Sequence, residues 1–485
     1  MRWWQGGVIL GFGVAIGWDG FAQVLRYPVG VGATPFALAT DYRALGWNPA
    51  GLTHMPLHPE KRWVLGAMEG GVSIESSILN RSDLWDDLLN RDGGEQAWSG
   101  LGSSVWLDRL SDQTISAQGE VLVAGSSRKS PNGKWGVAYA ARQSFVAEAR
   151  IGRSTLDILT AGNAAQVFDQ VIFANGDTLP NQSNWTTEEL SQILGGIDLN
   201  GDALASQILG TTELGFSWQK SHELGISRRW GDSDGWQIHT GLGVKLLLGN
   251  GYFRLQQTEG ALDAFGAFSN GFSIPRLDSA ALSPNLSGLR QWGPVGQGWG
   301  VDLGVVFVHP SGHWFSGSLT DIGWMEWRGE RYRLDVTLPS LTGFSAPEAW
   351  MDWMTRAMDP ATWFQVSDSE VRRIALPTTV HLGAGTRLGE AILVAGDLSL
   401  DNGKSLGTDG LRLGGTAVFQ LTPWLRIDGG CRKLQGSNLR IPVGFTAALG
   451  RKHFEVGARA GDLQALWKPS QPEVALYLCV ARWSF

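Results

Sequence analysis

Histidine and serine side chains lie at spacings that could support chemistry in one short stretch. His309 and His313 have the spacing of a helical metal pair, and Ser316 and Ser318 lie close enough to suggest a hydrolase. Residues 310–312, Pro-Ser-Gly, instead predict a hairpin turn flanked by two solvated histidines. Since no third member of a catalytic triad can be identified, a serine hydrolase is the weakest of the functions considered.

A second polar stretch, residues 197–203, places Asp198, Asn200 and Asp202 at alternate positions around a glycine. It lacks the distal bidentate glutamate that completes a calcium loop, so it is interpreted as a polar turn. The sequence therefore predicts no enzyme, no metal and no cofactor.

Charged residues share one predicted face of the last strands of the chain. As a cationic lining they would attract anionic solutes or a carboxylate head group. As cross-strand ion pairs they would fill an interior and hold an inner segment, and the interleaved acids favour this second interpretation. The residues are Arg387, Asp397, Arg412, Arg426, Asp428, Arg432, Arg440, Glu455, Arg459 and Arg482.

Composition limits the class of protein that could carry these residues. The 485 residues include 66 glycines and 24 tryptophans but only 6 tyrosines, without a collagen-like triplet. A net charge of -7 argues against nucleic acid as a partner. Cys431 and Cys479 cannot form a stapled scaffold, so stability must come from a large hydrogen-bonded core.

The N-terminus has the pattern of a secretion signal. Arg2 provides a positive charge, residues 7–18 form an apolar segment too short to span a bilayer comfortably, and residues 20–22 end in a small residue. We predict a signal peptide over residues 1–22, cleaved after Ala22. An uncleaved anchor helix is the alternative.

From Trp63 onward, apolar residues alternate with small or polar ones. In residues 439–449, for example, leucine, isoleucine, valine and phenylalanine occupy every second position. Each such strand has one face suited to hydrocarbon and one suited to water. A soluble sandwich or propeller would show the same alternation, so the pattern alone does not establish a membrane protein.

Short turns and long inserts divide the alternating region into hairpins. Fourteen antiparallel strands are predicted, because an even number is expected of a bacterial barrel, and fifteen is the alternative if 439–449 and 452–460 are counted separately. The segments 313–320 and 325–335 are predicted as two strands. The predicted barrel covers residues 63–485, and helical patterns occur in its inserts at 83–90, 187–194 and 347–358. The inserts are 77–117, 148–212, 250–297 and 336–376.

The C-terminus favours a membrane barrel over a soluble one. Phe485 is the last residue, and Tyr477 and Trp483 are expected on one face that continues toward it. This end resembles the signal by which outer-membrane barrels are recognised, which implies the barrel assembly machinery as a partner and outer-membrane lipid as the surroundings.

Tryptophan at predicted strand ends fits the interfacial belts of such a barrel. The residues are Trp63, Trp135, Trp230, Trp236, Trp314, Trp324, Trp424 and Trp483. The sequence therefore predicts an all-β transmembrane antiparallel barrel in the bacterial outer membrane.

Residues 23–62 precede the first strand and cannot belong to the wall. Pro49 lacks an N–H and fixes φ, while Gly46 and Gly51 permit tight reversals, so a compact plug is expected and a periplasmic tail is the alternative. With Asn48 and Ala50, this stretch resembles the N-terminal region of long-chain fatty-acid transport porins and PorV-type barrels. That resemblance implies a hatch in or under the barrel.

Residues 223–251 and 298–327 resemble hairpins of a Bacteroidota barrel family whose function is not defined. Together the resemblances imply a barrel that admits or carries a small hydrophobic solute past the hatch. The alternative is a PorV-like interaction barrel that serves a secretion or surface-assembly partner through its loops or its periplasmic face.

Overall fold

The computed structural model describes the inner N-terminal stretch and most of the predicted barrel. The predicted signal peptide and the helical patterns at 83–90 and 347–358 lie outside the described residues. The described residues are 33–54, 56, 61–76, 111–197, 199, 211–232, 234–258, 261–269, 290–291, 293–334, 365–366, 370–401, 410–434, 438–449, 454–466 and 473–485.

Fourteen long strands form the wall, as the sequence predicted. In chain order they are β1 Trp63–Ser76, β2 Thr114–Lys129, β3 Trp135–Arg150, β4 Glu213–Trp230, β5 Gln237–Thr258, β6 Gly296–Val308, β7 Trp314–Leu334, β8 Thr379–Leu388, β9 Ile392–Asp401, β10 Gly410–Thr422, β11 Leu425–Leu434, β12 Val443–Leu449, β13 Phe454–Ala460 and β14 Glu473–Ser484.

The sheet closes on itself. Each strand pairs antiparallel with the next, and β14 pairs with β1 from Val64↔Ser484 to Glu75↔Glu473. Closure leaves no free edge, so every strand can satisfy its backbone donors and acceptors within the wall. The all-β antiparallel barrel predicted from the sequence is confirmed.

The two faces of the wall differ in polarity. On β5, Leu242, Val244 and Leu246 are exposed on the outside, whereas Lys245 and Leu247 are buried on the inside. Large apolar side chains are exposed on the outer face of strand after strand, while most buried charges point inward. This inversion of the usual soluble pattern is typical of a wall surrounded by lipid.

The barrel has two unlike ends. Short connections at 130–134, 231–236, 309–313 and 389–391 share one end with Trp63 and Phe485, which we name the turn end. The long inserts leave from the opposite end, which we name the loop end. In bacterial outer-membrane barrels the short turns face the periplasm.

One strand replaces two predicted strands, and this corrects the sequence interpretation. The segments 313–320 and 325–335 are both part of β7, interrupted by Asp321 at φ 59. A left-handed residue shifts the register between β6 and β7 and breaks the alternation, so the sequence suggested a turn there.

The predicted insert boundaries also require correction, because wall structure continues into the inserts. β2 begins at Thr114, β3 runs to Arg150, and β5 runs to Thr258. On the loop-end side of Gly296, where β6 begins, the strand Ala261–Ser269 lies between β5 and β7. The strand Glu370–Ala375 pairs with β7 just before β8 does, inside the predicted insert 336–376.

The insert between β3 and β4 contains a small folded unit. Helix Arg153–Ala161 leads into the 3-10 turn Gly162–Ala164 and a sheet of Gln170–Phe173, Thr178–Pro180 and Ile193–Ile197. The helix predicted at 187–194 ends at Leu190 because the chain joins this sheet. Its own core comprises Ala164, Val171, Phe173 and Ile193, with Ala161 and Trp185 packed against it.

The remaining short elements are the helix Pro35–Leu38, the 3-10 turns Asp41–Ala44, Pro49–Leu52 and Leu463–Leu466, and the strands Arg290–Gln291 and Gln365–Val366. Among the described residues, none of the helices has the length and apolar character needed to cross a bilayer.

The outward face predicts which positions contact lipid. In a variant without the native cysteines, Leu224→Cys on the outer wall should not react with a membrane-impermeant maleimide, because bilayer surrounds it. Asn132→Cys, in the exposed turn between β2 and β3, should react rapidly in the same membranes. Equal labelling of the two cysteines would contradict a lipid-facing wall.

Candidate functional site: the lumen and its inner segment

Residues 33–54, which we name the inner segment, lie inside the barrel and are buried almost throughout. Two of their three short helical turns begin at Pro35 and Pro49, where a fixed φ and a missing N–H suit the first helical position. The Asn48 side chain caps the second of these by accepting a hydrogen bond from Ala50 N at 3.1 Å.

Glycines on the inner wall let this segment approach the strands closely. A Cβ at Gly66 or Gly125 would overlap the Tyr42 ring, and one at Gly304 would overlap the Asn48 amide. Gly241 similarly faces the backbone at Pro49. Part of the high glycine content therefore has a structural reason that the sequence analysis missed: side chains are omitted where a second layer of chain must fit.

The hatch motif Asn48-Pro49-Ala50 contacts β4 and β6, and the neighbouring residue contacts β7. Asn48 Nδ2 donates to Val305 O at 3.4 Å, and Ser227 Oγ donates to Ala50 O at 3.3 Å. Ser318 Oγ donates to Trp47 O at 2.7 Å. These bonds are neutral and mostly involve backbone carbonyls.

Charged contacts attach the opposite side of the segment. Arg482 on β14 donates to Asp41 at 2.7 Å and also pairs with Glu455 on β13. Arg43 adds a second cation, 3.2 Å from the same Asp41 oxygen. Burial disfavours the charge, but the two arginines outweigh burial and hold the pKa of Asp41 below its ordinary value.

Tyr42 extends this charged contact to β1 and β3. Its hydroxyl donates to Glu69, and its carbonyl accepts from Arg142 Nη2 at 3.2 Å. Arg142 also pairs with Glu223 and lies 3.3 Å from Glu120. Sequence analysis missed this cluster, because its members lie on β2, β3 and β4 and an insert separates β3 from β4.

The remaining side of the lumen is crossed by the start of the segment. Phe36 stacks on His381 of β8 with ring centroids 3.6 Å apart, and its backbone N–H donates to Asp397 of β9 at 3.3 Å. Ala33 N donates to Thr416 of β10 at 2.6 Å. The inner segment thus contacts strands around the circumference of the barrel.

The charges predicted to face inward lie on the inner side of the wall. Arg412 pairs with Asp401 at 3.0 Å, and Arg440 pairs with Glu75 at 2.7 Å. Arg426, Asp428, Arg432 and Arg459 are buried beside them. Arg387 differs: it is exposed at the turn end, where it donates to the Pro56 carbonyl.

A buried triad that the sequence analysis did not single out lies on β5, β6 and β7. Lys245 Nζ is 3.1 Å from Asp302 and pairs with Asp321, the residue at the break in β7. Thr378 Oγ1 donates to the Asp321 carbonyl at 3.2 Å. The sequence did contain a signal for this triad. Lys245 is a lysine within an apolar strand, and the two-residue repeat of a strand places it on the inner side.

Above this triad, toward the loop end, the inner wall becomes apolar. We name as the apolar cluster the buried residues Leu247, Tyr252, Phe265, Ala267, Val295, Met325, Trp327 and Ile374. The Trp327 and Tyr252 rings lie 4.9 Å apart, and the Trp327 indole covers Gly249 and Gly296. Its aromatic rings suit contact with an apolar molecule.

Other predicted positions have outcomes that differ from expectation. Trp314 is 2% exposed and donates to Ala37 O, so it belongs to the interior and not to the belt. Tyr477 points inward and Trp483 outward, because a bulge opposite Glu455 and Gly457 adds a residue to β14. The single face expected for these two residues is therefore wrong; Phe485 is exposed, and the insertion signal remains a prediction.

Among the described residues, the two candidates for catalysis that have hydrogen-bond partners bind groups outside any triad. His309 lies in its hairpin turn and pairs with Ser311, and Ser318 donates to Trp47 O. No group of three described His, Cys, Asp or Glu side chains is placed to hold a metal ion.

The protein is an all-β closed barrel that contains an internal segment and an apolar cluster. Residues 209–458 match the model of a family of unknown function, DUF5723. This match spans more than half of the sequence, and the chain belongs to that family. The family of undefined function inferred from the hairpins is thereby confirmed.

Among solved structures, similar chains include the Pseudomonas putida toluene transporter TodX, with a TM-score of 0.42 at 10% identity, covering 96% of this chain and 99% of that one. The Ralstonia pickettii toluene transporter TbuX gives 0.38 at 12%, covering 96% and 99%. A Pseudomonas aeruginosa FadL homologue gives 0.43 at 9%, covering 96% and 100%. These TM-scores are too low to carry a function to this chain.

A search of the curated proteins found no match.

Removing the charge of Arg482 should weaken the docking of the inner segment. Arg482→Gln leaves Asp41 and Glu455 buried without this partner, at a cost of about 3–5 kcal/mol in the free energy of unfolding. Arg150→Gln is the control, because its pair with Glu213 is partly exposed and should contribute under about 1 kcal/mol. Urea unfolding followed by tryptophan fluorescence measures both; equal effects would contradict the buried contact.

Proposed function

We propose that this protein is a bacterial outer-membrane barrel that carries a small hydrophobic solute past an N-terminal hatch. The inner segment is the hatch, and the apolar cluster is the site at which the solute first leaves water. The observation that carries the proposal is the inner segment itself, with contacts around the circumference of the lumen.

The contacts of the inner segment support a closed resting state. Charged contacts to β1, β3 and β14 and neutral ones to β4, β6 and β7 hold the segment across the lumen at this level. A solute therefore requires the hatch to move. Separating the segment from the wall should need less free energy on the neutral side, because each such hydrogen bond contributes only about 0.5–1.5 kcal/mol.

The apolar cluster supports a hydrophobic solute over an anionic one. Its side chains come from β5, β7 and the strand Ala261–Ser269, together with Val295 and Ile374, at the loop end of the same sector that holds the neutral hatch contacts. The inward arginines, by contrast, have carboxylate partners at Arg412, Arg440 and Arg482. Capture by apolar rings followed by passage along the neutral side is the route that these contacts favour.

Loosening the neutral side of the hatch should open the barrel. Gly304→Leu places a side chain where Asn48 lies, so we expect a rise in single-channel conductance and faster uptake of 1-N-phenylnaphthylamine by cells. Gly429→Leu, on the outer side between the inward Asp428 and Gly430, controls for adding a leucine to the wall, because nothing lies within 4 Å of a Cβ at that position. Deletion of residues 33–54 should raise the conductance further.

Trp327→Ala separates solute capture from a simple leak. It should lower dye uptake in the Gly304→Leu background while leaving the raised ion conductance in place. Conductance that stays at the wild-type level in both the Gly304→Leu and deletion variants would overturn the hatch.

A partner-binding role is the second candidate, in which the barrel serves secretion or surface assembly as PorV-type barrels do. The folded unit between β3 and β4 favours it, because an insert with its own core around Val171 and Phe173 exceeds what a passive pore requires. Such a unit at the loop end would present a fixed surface to another protein.

Removing this unit tests the second role. Replacement of residues 153–197 by a short Gly-Ser linker should abolish recovery of a stoichiometric partner from solubilised native membranes while dye uptake persists. The unaltered protein is the reference. If it recovers no partner under crosslinking, the interaction role is contradicted.

A further inference from the structure

Two arginines stand on the outer, lipid-facing side of the wall near the turn end. Arg128 on β2 lies directly opposite Trp63 on β1, and Arg228 on β4 lies directly opposite Trp135 on β3. Directly opposed residues of an antiparallel pair point to the same side of a sheet. Since Trp63 and Trp135 are exposed on the outside, both guanidinium groups are outside as well.

Tryptophan rings hold both arginines in place. Arg128 Cζ is 4.7 Å from the Trp63 ring centroid. Arg228 Cζ is 4.9 Å from the Trp135 ring and 3.7 Å from the Trp230 ring, so two indoles flank it. Stacking orients a guanidinium without using its N–H donors, which stay available for an acceptor.

The neighbouring outward residues are apolar. Val137 lies opposite both Arg128 and Ile226, with exposed fractions of 47% and 43% for the two aliphatic side chains. Among the described strand residues near the turn end, the outward positions hold these two arginines and no acidic residue. A charged group at the edge of a lipid-facing surface is stabilised by reaching the headgroup layer.

A third cation stands just beyond this row. Lys134, in the turn between β2 and β3, is exposed, and its carbonyl accepts from the Arg229 backbone N–H at 2.8 Å. The cations thus lie at increasing distance from the apolar wall, where a phosphate and its glycerol backbone would be in the adjacent leaflet. Arg is the side chain best shaped for two parallel hydrogen bonds to a phosphate.

We propose that Arg128 and Arg228, held by Trp63, Trp135 and Trp230, form a binding site for the phosphate headgroup of an anionic phospholipid in the leaflet at the turn end. The apolar residues Val137 and Ile226 receive the first part of its acyl chains. The site fixes a lipid on the β1–β4 sector and is independent of the solute path through the lumen.

The loop end provides a matched control site. Arg373 stacks on Trp324 at 3.7 Å, also on the outer face, but it lies directly opposite Glu326. The carboxylate offsets its charge, so Arg373→Gln should not change the binding of an anionic lipid. It removes the same type of cation–π pair without removing the proposed site.

The test is native mass spectrometry of the full-length protein in detergent, titrated with palmitoyl-oleoyl phosphatidylglycerol or phosphatidylcholine. The Arg128→Gln/Arg228→Gln variant should bind phosphatidylglycerol about tenfold or more weakly than wild type, since each basic residue contributes about 1 kcal/mol near an anionic surface. Binding of phosphatidylcholine should not change. Migration of unheated samples on gels verifies that each variant is folded.

Two outcomes would overturn the proposal. One is unchanged affinity for phosphatidylglycerol in the double variant. The other is an equal loss for both lipids, which would assign the surface to a general aromatic belt. If the double variant does not fold, Arg228→Gln alone gives the same comparison, with a loss of several-fold expected.

Discussion

The buried contact between Asp41 and Arg482 is the constraint on which the rest of the structure depends. It joins residues 441 positions apart, one near the start of the inner segment and one on the last strand. Arg482 lies opposite Gly66 in the pairing of β14 with β1, which closes the barrel. Closure of the barrel and docking of the inner segment therefore stabilise each other, since each brings one of these two buried charges to the other.

The outer wall cannot supply this specificity. Apolar side chains such as Leu224 and Leu246 gain little from one another when lipid surrounds them, because lipid tails are equally apolar. What distinguishes one arrangement is the inside: glycines that admit the inner segment, charges that must pair, and hydrogen bonds to the backbone of that segment. The inward glycines and the inward charges therefore have the same role, which is to fit and hold the inner segment inside the barrel.

Much of this was predictable because a regular strand repeats every two residues. Through most of the last strands the alternation continues, and it predicts the inner side for the ten charged residues between Arg387 and Arg482. The failures occur where the period breaks. Asp321, at φ 59, divided β7 into two predicted strands, and the bulge in β14 separated Tyr477 from Trp483. A bulge is set by tertiary register, which a local pattern does not contain.

Contacts between residues on either side of a long insert could not be predicted from the sequence, for a different reason. Arg142 and Glu223 are 81 positions apart and meet only because β3 and β4 pair after the folded insert. The inner segment shows the same limit. Its turn chemistry predicted a compact element, but only the wall glycines show which strands it contacts.

The lumen has two mechanically different sides. Between β13 and β3, the inner segment is held by Arg482, Arg142 and Glu69, where separating one buried charged contact costs about 3–5 kcal/mol. Between β4 and β7 it is held by hydroxyl and amide groups, such as Ser227 and Ser318, each contributing about 0.5–1.5 kcal/mol. In the hatch that we propose, the segment would pivot about the charged side. The gap would then lie along the sector that carries the Lys245 triad and, above it, the apolar cluster.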